Sequence, residues 1–459
     1  MLDCFASKAN ARTVEITAVE AKTFTAWVKK QPKRQAEWIS ASGFSADPGS
    51  ILLLPGSRKS EGTIQSALVG VRDGQDIWSW ASAANNLPNG RYAFDGDGDT
   101  AARAALGWAL GCYKFTRYKK SSAELPQLVL NKAMRAGHAD SAASSIYMVR
   151  DLINTPASDM GPGELATAAQ SLAREFKGRC KLIIGDDLLR ENYPMVHAVG
   201  RASSRPPRLI DLTWGKARNP KVTLVGKGVC FDSGGLDIKG ASGMLLMKKD
   251  MGGAANALGL ARMIMMNNLP VRLRVLIPAV ENSISGDAFR PGDVLSTRDG
   301  MTVEIGNTDA EGRLILADAL TEAVSDKPAM LLDFATLTGA ARVALGPELP
   351  AMFCNNDALA NDFCSVGDDV SDPVWRMPLW RPYRQFLDST VADINNAGSI
   401  PQGGAITAAI FLHDFVGDDV PWAHFDIYGW NASNSPGKPK GGDAMAIRAA
   451  FKVIERKFS

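Results

Sequence analysis

From Gly163 onward the chain repeats one theme: a short apolar run, a loop containing glycine, then a stretch with helical spacing. Val222–Val225 reads as a buried strand followed by a glycine loop, and Met251–Met266 as a helix rich in Ala, Leu and Met. Leu273–Ile277, Val303–Ile305, Met330–Phe334 and Ala423–Ile427 read as further strands. Strands alternating with helices bury both faces of a sheet by covering it from each side, so the pattern predicts an α/β fold with a mostly parallel or mixed sheet. Ligand sites in such folds form at the carboxyl ends of strands. That is where this chain gathers its reactive side chains.

The preceding residues carry a second, smaller pattern. Val14–Ile16, Ile51–Leu54 and Ala67–Val71 are strand-like, residues 100–116 have helical spacing, and Asn89–Gly90 marks a turn. Asp95–Asp99 resembles the start of a calcium-binding loop. However, Thr100 stands where that loop needs glycine and Leu106 where it needs a bidentate Glu, so it reads as a polar turn. A helical pattern from Asn131 to Asn154 stops at Thr155–Pro156. The expected organisation is a smaller N-terminal α/β domain (1–130), a connecting helix (131–155) and a larger C-terminal domain (156–459) with a mixed central sheet flanked by helices.

Charge and cysteine usage narrow the function classes. Lys+Arg 51 against Asp+Glu 49 leaves a formal charge of +2, which argues against a chain devoted to nucleic acid, since neutralising phosphates needs a basic excess. No uncharged apolar run reaches the ~18 residues of a membrane span, and Met1–Lys22 shows no apolar signal segment. The six cysteines are scattered without a CxxC, so a disulfide framework is not expected and a reducing cytoplasm is.

Three segments carry chemistry. The first, Val225–Gly235, places Lys227 and Asp232 in a glycine-rich loop after a strand, with Lys239 shortly beyond. It is not a P-loop, because Gly228 follows Lys227 where Ser or Thr is required. In the second, Asp250 precedes an Ala-rich helix, where an N-cap is the plainer reading. In the third, Asp309 and Glu311 stand two apart on a tight loop before a helix, with Arg313 close by; favourable charge at the helix start is the plainer reading there. Three such loops, each with an acidic group after a strand, are harder to dismiss. Asp232, Asp250, Asp309 and Glu311, with a lysine able to become neutral, suit a pair of divalent ions. Only His138, His197, His413 and His424 exist, none in H-E-x-x-H, and no G-x-S-x-G is present. Cys230 beside this cluster reads as packing.

These segments, VGKGVCFDSGG, KKDMGGAA, NTDAEGRL, Ala335–Ala340 (ATLTGA) and Trp422–Ile427 (WAHFDI), closely resemble the cytosolic leucyl aminopeptidase family of dinuclear metallopeptidases, peptidase family M17. The resemblance is strong over residues 150–459 and general over the N-terminal part, where the family also carries a smaller α/β domain.

The resemblance implies that residues 156–459 form a catalytic domain holding two divalent ions, Mn²⁺ or Zn²⁺. Asp232 and Glu311 would bridge the ions, Asp309 would complete the more exchangeable site, and Lys227 and Asp250 the tighter one. Lys227 would then be a neutral amine. Lys239 would polarise the scissile carbonyl, Arg313 would hold a bicarbonate that relays a proton from a bridging water, and Asp250 would help receive the substrate's free α-amine. Met247, Thr336 and Gly339 would line the pocket for the first side chain. The implied activity is removal of the N-terminal residue from peptides by a cytoplasmic homohexamer, with no membrane or nucleic-acid partner. Two departures bear on specificity: Tyr428-Gly429-Trp430-Asn431 stands where the family has a small residue before Gly, and Ser435–Asp443 does not follow the commoner pattern. Either the aromatics reshape the pocket or they pack outward. A dinuclear phosphoesterase, a DNA-binding accessory and an inactive scaffold of the same fold remain as alternatives.

Overall fold

The protein is described from a computed structural model that covers residues 1–56, 64–120 and 124–459. The chain divides into two compact units, Met1–Tyr147 with Ala432–Lys440, and Met148–Asn431 with Gly441–Ser459.

The first unit is built on a six-stranded sheet in the order Phe5–Ala6, Gln127–Val129, Arg91–Phe94, Val14–Glu20, Ile64–Val71, Ile51–Pro55. All neighbours are parallel except the last pair. Trp80 and Trp108, on helices Trp78–Asn86 and Gly98–Cys112, are fully buried with Tyr92 in its core. The helical pattern seen from Asn131 to Asn154 is broken into Lys132–Ala136 and Ala139–Asn154, because His138 adopts a left-handed φ of 61° that no helix continues through. Ala432–Lys440 joins this unit through packing that no local pattern signals, with Lys438 Nζ 4.9 Å from the Trp78 ring.

The second unit carries a mixed sheet in the order Trp375–Arg376, Ala351–Cys354, Trp422–Asp426, Met330–Ala335, Lys221–Gly226, Arg272–Asn282, Arg208–Trp214, Arg179–Ile184. Its central members are parallel and buried along nearly their whole length, as strands covered on both faces are, with Thr223 and Asp333 the polar residues buried among apolar ones. Helix Gly252–Met266 packs on Lys221–Gly226 and Met330–Ala335 and against Ile447–Phe458. Helix Gly312–Ser325 packs against Pro194–Gly200 and Gly404–Asp414. The strand expected at Val303–Ile305 forms at Thr302–Glu304, but in a separate three-stranded sheet with Val294–Ser296 and Ile394–Asn395.

One segment differs from the sequence expectation in a way that matters for the site. Gly228–Asp232, read as a loop, is a strand paired in parallel with the far end of Arg272–Asn282, with a register shift between Val229 and Phe231. Arg272–Asn282 is eleven residues long and extends past Lys221–Gly226, so its remaining hydrogen-bonding edge recruits the β-favouring Val229-Cys230-Phe231 run. Lys227 therefore sits at the joint between two strands rather than in a flexible loop.

A buried carboxylate ties the sheet's helices together. Asp318, fully buried on helix Gly312–Ser325, accepts from the amides of Met195 (2.8 Å), Val196 (3.2 Å) and Arg298 (2.9 Å). Asp318→Ala orphans three buried donors, and a loss of about 3 kcal/mol is expected from the penalty for unsatisfied groups. A shift of the thermal unfolding transition measures it. Burial pushes Asp318 up to about 7 against those donors. Between about pH 4 and 7 the folded chain keeps a proton that the unfolded chain releases, so this group's contribution to stability falls as pH rises through that window and is flat above it. The alanine variant loses that slope.

Candidate active site and metal centre

The end of strand Lys221–Gly226, the joint that follows it and the loops after Gly228–Asp232, Thr302–Glu304 and Met330–Ala335 converge on one cavity of about 480 Å³. Lys227, Asp232, Lys239, Met247, Asp250, Asp309, Thr336 and Gly339 line it. Glu311 lies behind this lining, buried, and Arg313 is buried beside it with Nη1 donating to the Asn396 carbonyl at 2.8 Å. All ten candidate residues thus belong to one region of the second unit.

Neither of the plainer readings of the acidic residues describes their side chains. Asp250 lies in a short 3₁₀ turn, Met247–Met251, and the following helix has Met251 at its N-cap. Its carboxylate instead reaches Lys227 (2.8 Å) and accepts from Thr336 Oγ1 (2.7 Å). Glu311 does occupy the N-cap position of Gly312–Ser325, but its side chain makes no cap and lies 2.9 Å from Lys227 Nζ. Gly312 makes room for this: a Cβ there would stand 2.5 Å from Lys227 Cε. At the other end, Lys239 Nζ lies 2.9 Å from Asp232 and 2.5 Å from Asp309. Each lysine therefore bridges two carboxylates.

The electrostatics are those of crowded negative charge. Burial, reinforced by the Asp232 carboxylate, pushes Asp309 up to about 6 and Glu311 up to about 8. Burial opposes ionisation of Asp250, but Lys227 and Lys249 hold its carboxyl below the usual range. Burial also opposes charge on Lys227, yet Asp250, Glu311 and Asp232 together keep its ammonium above the ordinary value. Burial pulls Arg313 down to about 10 and Lys249 down to about 8.

The donor set fits divalent cations. Among the described residues, Asp232, Asp309 and Glu311 have carboxylate oxygens all within 4.8 Å of one another. Asp250 Oδ2, Asp309 Oδ1 and Glu311 Oε1 are buried, and the partners that meet them are the ammonium groups of Lys227 and Lys239. Carboxylates crowded this closely need cations beside them, and oxygen-rich clusters are what hard divalent ions select. Arg313 Nε is likewise buried without an acceptor, which fits an anion. Cys230 is buried with its thiol pushed well up by burial, which makes it a poor nucleophile.

Several residues that shape the site were not singled out from sequence. Asn282 Nδ2 donates to Asp232 Oδ1 (2.9 Å) and to the Thr308 carbonyl (3.1 Å). Asn396, fully buried, accepts from the amides of Gly306 and Asn307 and donates to the carbonyls of Asn307 and Ala310, clamping the Asp309–Glu311 loop. Asp426 accepts from Leu337 N, Thr338 N and Thr338 Oγ1, fixing the loop after Met330–Ala335. Asn282 and Asp426 sit at strand ends, a placement that could have flagged them; Asn396 looks like any loop Asn. Of the two aromatics noted in sequence, Tyr428 lines the cavity, whereas Trp430 is buried and is not part of the lining.

Comparison with known proteins places this architecture. Residues 147–451 match the model of the cytosol aminopeptidase family catalytic domain, and residues 14–131 that of the M17 aminopeptidase N-terminal domain. A probable cytosol aminopeptidase of Roseiflexus castenholzii is 40% identical over 372 residues, 77% of this chain and 76% of that one. The crystal structure of cytosol aminopeptidase from Coxiella burnetii superposes with a TM-score of 0.95 at 50% identity, over 100% of both chains. The bottromycin maturation enzyme BotP, in complex with Mn, superposes with a TM-score of 0.88 at 32% identity, over 98% of this chain and 100% of that one. The chain therefore belongs to the M17 cytosol aminopeptidase family and is a metalloexopeptidase of the aminopeptidase class.

Proposed function

We propose that the chain removes the N-terminal residue of peptides at a centre of two divalent ions, Mn²⁺ or Zn²⁺, held by Lys227, Asp232, Asp250, Asp309 and Glu311. The observation that carries this reading is the cluster of carboxylate oxygens on Asp232, Asp309 and Glu311, all within 4.8 Å of one another. Asp232 and Glu311 are assigned to both ions, Asp309 to the more exchangeable one, and Lys227 with Asp250 to the tighter one. When bound, two ions supply Lewis acidity toward the scissile carbonyl and lower the pKa of an attacking water.

The chain's own residues do the rest. Asp250 receives the free α-amine, which confines cleavage to the first residue. Lys239 Nζ, partly exposed in the cavity, donates to the scissile oxygen as charge develops there. Its partners are Asp232 and Asp309, which would release the ammonium for that task when they hold an ion. Lys227 would hold an ion as the free amine, once the negative charge of Asp250, Glu311 and Asp232 that favours its ammonium is offset. Bicarbonate is the anion assigned to Arg313, where it supplies a proton acceptor, and Asn396 holds the guanidinium in place. Met247, Thr336 and Gly339 are assigned to the pocket for the first side chain, with Thr336 also orienting Asp250.

No helix among the described residues is long and apolar enough to cross a membrane. We assign the enzyme to the cytoplasm as a homohexamer acting on peptides rather than on nucleic acid; light scattering that returns six times the chain mass of 49.0 kDa supports the assembly, and a monomer mass removes it.

The deciding experiment strips the protein with a chelator, restores Mn²⁺ or Zn²⁺, and offers aminoacyl anilides beside an N-acetylated leucyl control. Cleavage should vanish with the metal, return with it, and never extend to the acetylated substrate. Two metals bound per chain with no free-amine substrate cleaved would overturn the reading and turn attention to phosphate esters.

A further inference from the structure

Two cations in the cavity form no ion pair with any carboxylate among the described residues. Lys249 is only 5% exposed and lines the cavity, with its Nζ 5.0 Å from the centre of the Tyr428 ring. Arg342, exposed at the cavity edge on helix Gly339–Leu345, places its guanidinium 4.7 Å from the same ring. Neither side chain forms an ion pair or hydrogen bond with any described residue. Their neighbours are differently engaged: Lys248 donates to the Asn154 carbonyl at 2.7 Å, and Asp426 is taken up by Leu337 and Thr338. The Asp250 and Asp426 carboxylates act on Lys249 through space without pairing with it, and its one close support, a cation–π contact worth roughly 0.5–2 kcal/mol, is less than burying a charge costs. Two like charges gathered on one aromatic ring add to the imbalance. A ligand anion between them corrects it.

The position of these cations identifies which part of a substrate they meet. Lys249 immediately precedes Asp250, the residue assigned to the α-amine. Tyr428 immediately precedes Gly429, which lies beside Thr336 (a Cβ there would be in ordinary contact with Thr336 Cγ2 at 3.5 Å), and Thr336 is bonded to Asp250. The amine and the first side chain leave the same Cα, so groups bracketing Asp250 face that side chain. We propose that this cavity selects an acidic N-terminal residue, Asp or Glu, whose carboxylate is recognised by Lys249 with Arg342 assisting at the rim. This rests on the reading of the carboxylate cluster as the catalytic centre. Tyr428 acts as the platform that holds both cations in place.

The test uses the full chain loaded with Mn²⁺ and p-nitroanilides of Glu, Gln, Asp, Asn and Leu, which carry no C-terminal carboxylate. Glu is expected to exceed its isostere Gln in kcat/KM by about tenfold or more, and Asp to exceed Asn. Lys249→Met should remove that preference. Arg342→Gln, at an exposed position, should reduce it and keeps the test decisive where the Lys249 variant does not fold. Glu cleaved no better than Gln, or a Glu/Gln ratio untouched by both substitutions, overturns the proposal; a lysine serving the C-terminal carboxylate of a dipeptide gives the second of these results. Leu cleaved and Glu refused sinks this inference alone, whereas no anilide cleaved by metal-loaded protein sinks the catalytic centre beneath it.

Discussion

Glu311→Gln is expected to leave a chain that folds but holds fewer than two metal ions and cleaves free-amine substrates at about 10³-fold lower kcat or less, a larger deficit than removal of one oxyanion donor produces. The reasoning is local. Glu311 is 1% exposed, its Oε1 is met by the Lys227 ammonium at 2.9 Å, and together with Asp232 and Asp309 it forms the tight oxygen cluster. An amide keeps the shape but replaces one charged oxygen with an NH₂ that repels a cation. The second consequence falls on Lys227, which loses one of its two close carboxylates and keeps Asp250 at 2.8 Å. Elemental analysis of the purified variant gives the metal count, and a melting curve separates metal loss from misfolding. A variant with two metals and unimpaired turnover would remove Glu311 from the centre.

Lys239→Met is expected to behave in the opposite way, retaining both metals while kcat falls by about 10²–10³-fold, the ~3–4 kcal/mol of a lost oxyanion donor. Lys239 reaches the cavity with its side chain 16% exposed, while Lys227 is enclosed at 3%. That difference in access separates a group able to touch substrate from one that touches only the centre. Removing Lys239 also frees Asp232 and Asp309 of a competing cation, so metal affinity should rise or stay level. KM for the anilide should change little if the contact forms chiefly in the transition state. Metal lost together with activity would make Lys239 a structural counter-ion and leave the carbonyl without its donor.

Much of this architecture is legible in the sequence because it rests on short-range chemistry. Apolar runs of strand length alternate with helical stretches, and acidic residues follow the strands; both patterns occupy fewer than twenty consecutive residues. The strands at Lys221–Gly226, Met330–Ala335 and Trp422–Asp426 lie where the pattern puts them. The same local logic misleads where a distant partner decides. Val229-Cys230-Phe231 becomes a strand only because Arg272–Asn282 outruns its neighbour, and Asp250 leaves the capping role because Thr336 and Lys227 compete for its carboxylate.

By itself, then, the sequence determined the α/β alternation, the two-part organisation and the inventory of carboxylates and lysines from which a metal centre is made, since each depends on residue type and near-neighbour spacing. Only the tertiary structure decided who holds them. Asn282 reaches Asp232 across 50 residues, Thr336 reaches Asp250 across 86, and Asn396 reaches Asn307 across 89. It alone brought Lys249, Arg342 and Tyr428 to one wall of the cavity and turned Trp430 away from it. Such contacts follow from strand order and register across a whole sheet, and a one-residue change of register would reverse which face each side chain meets.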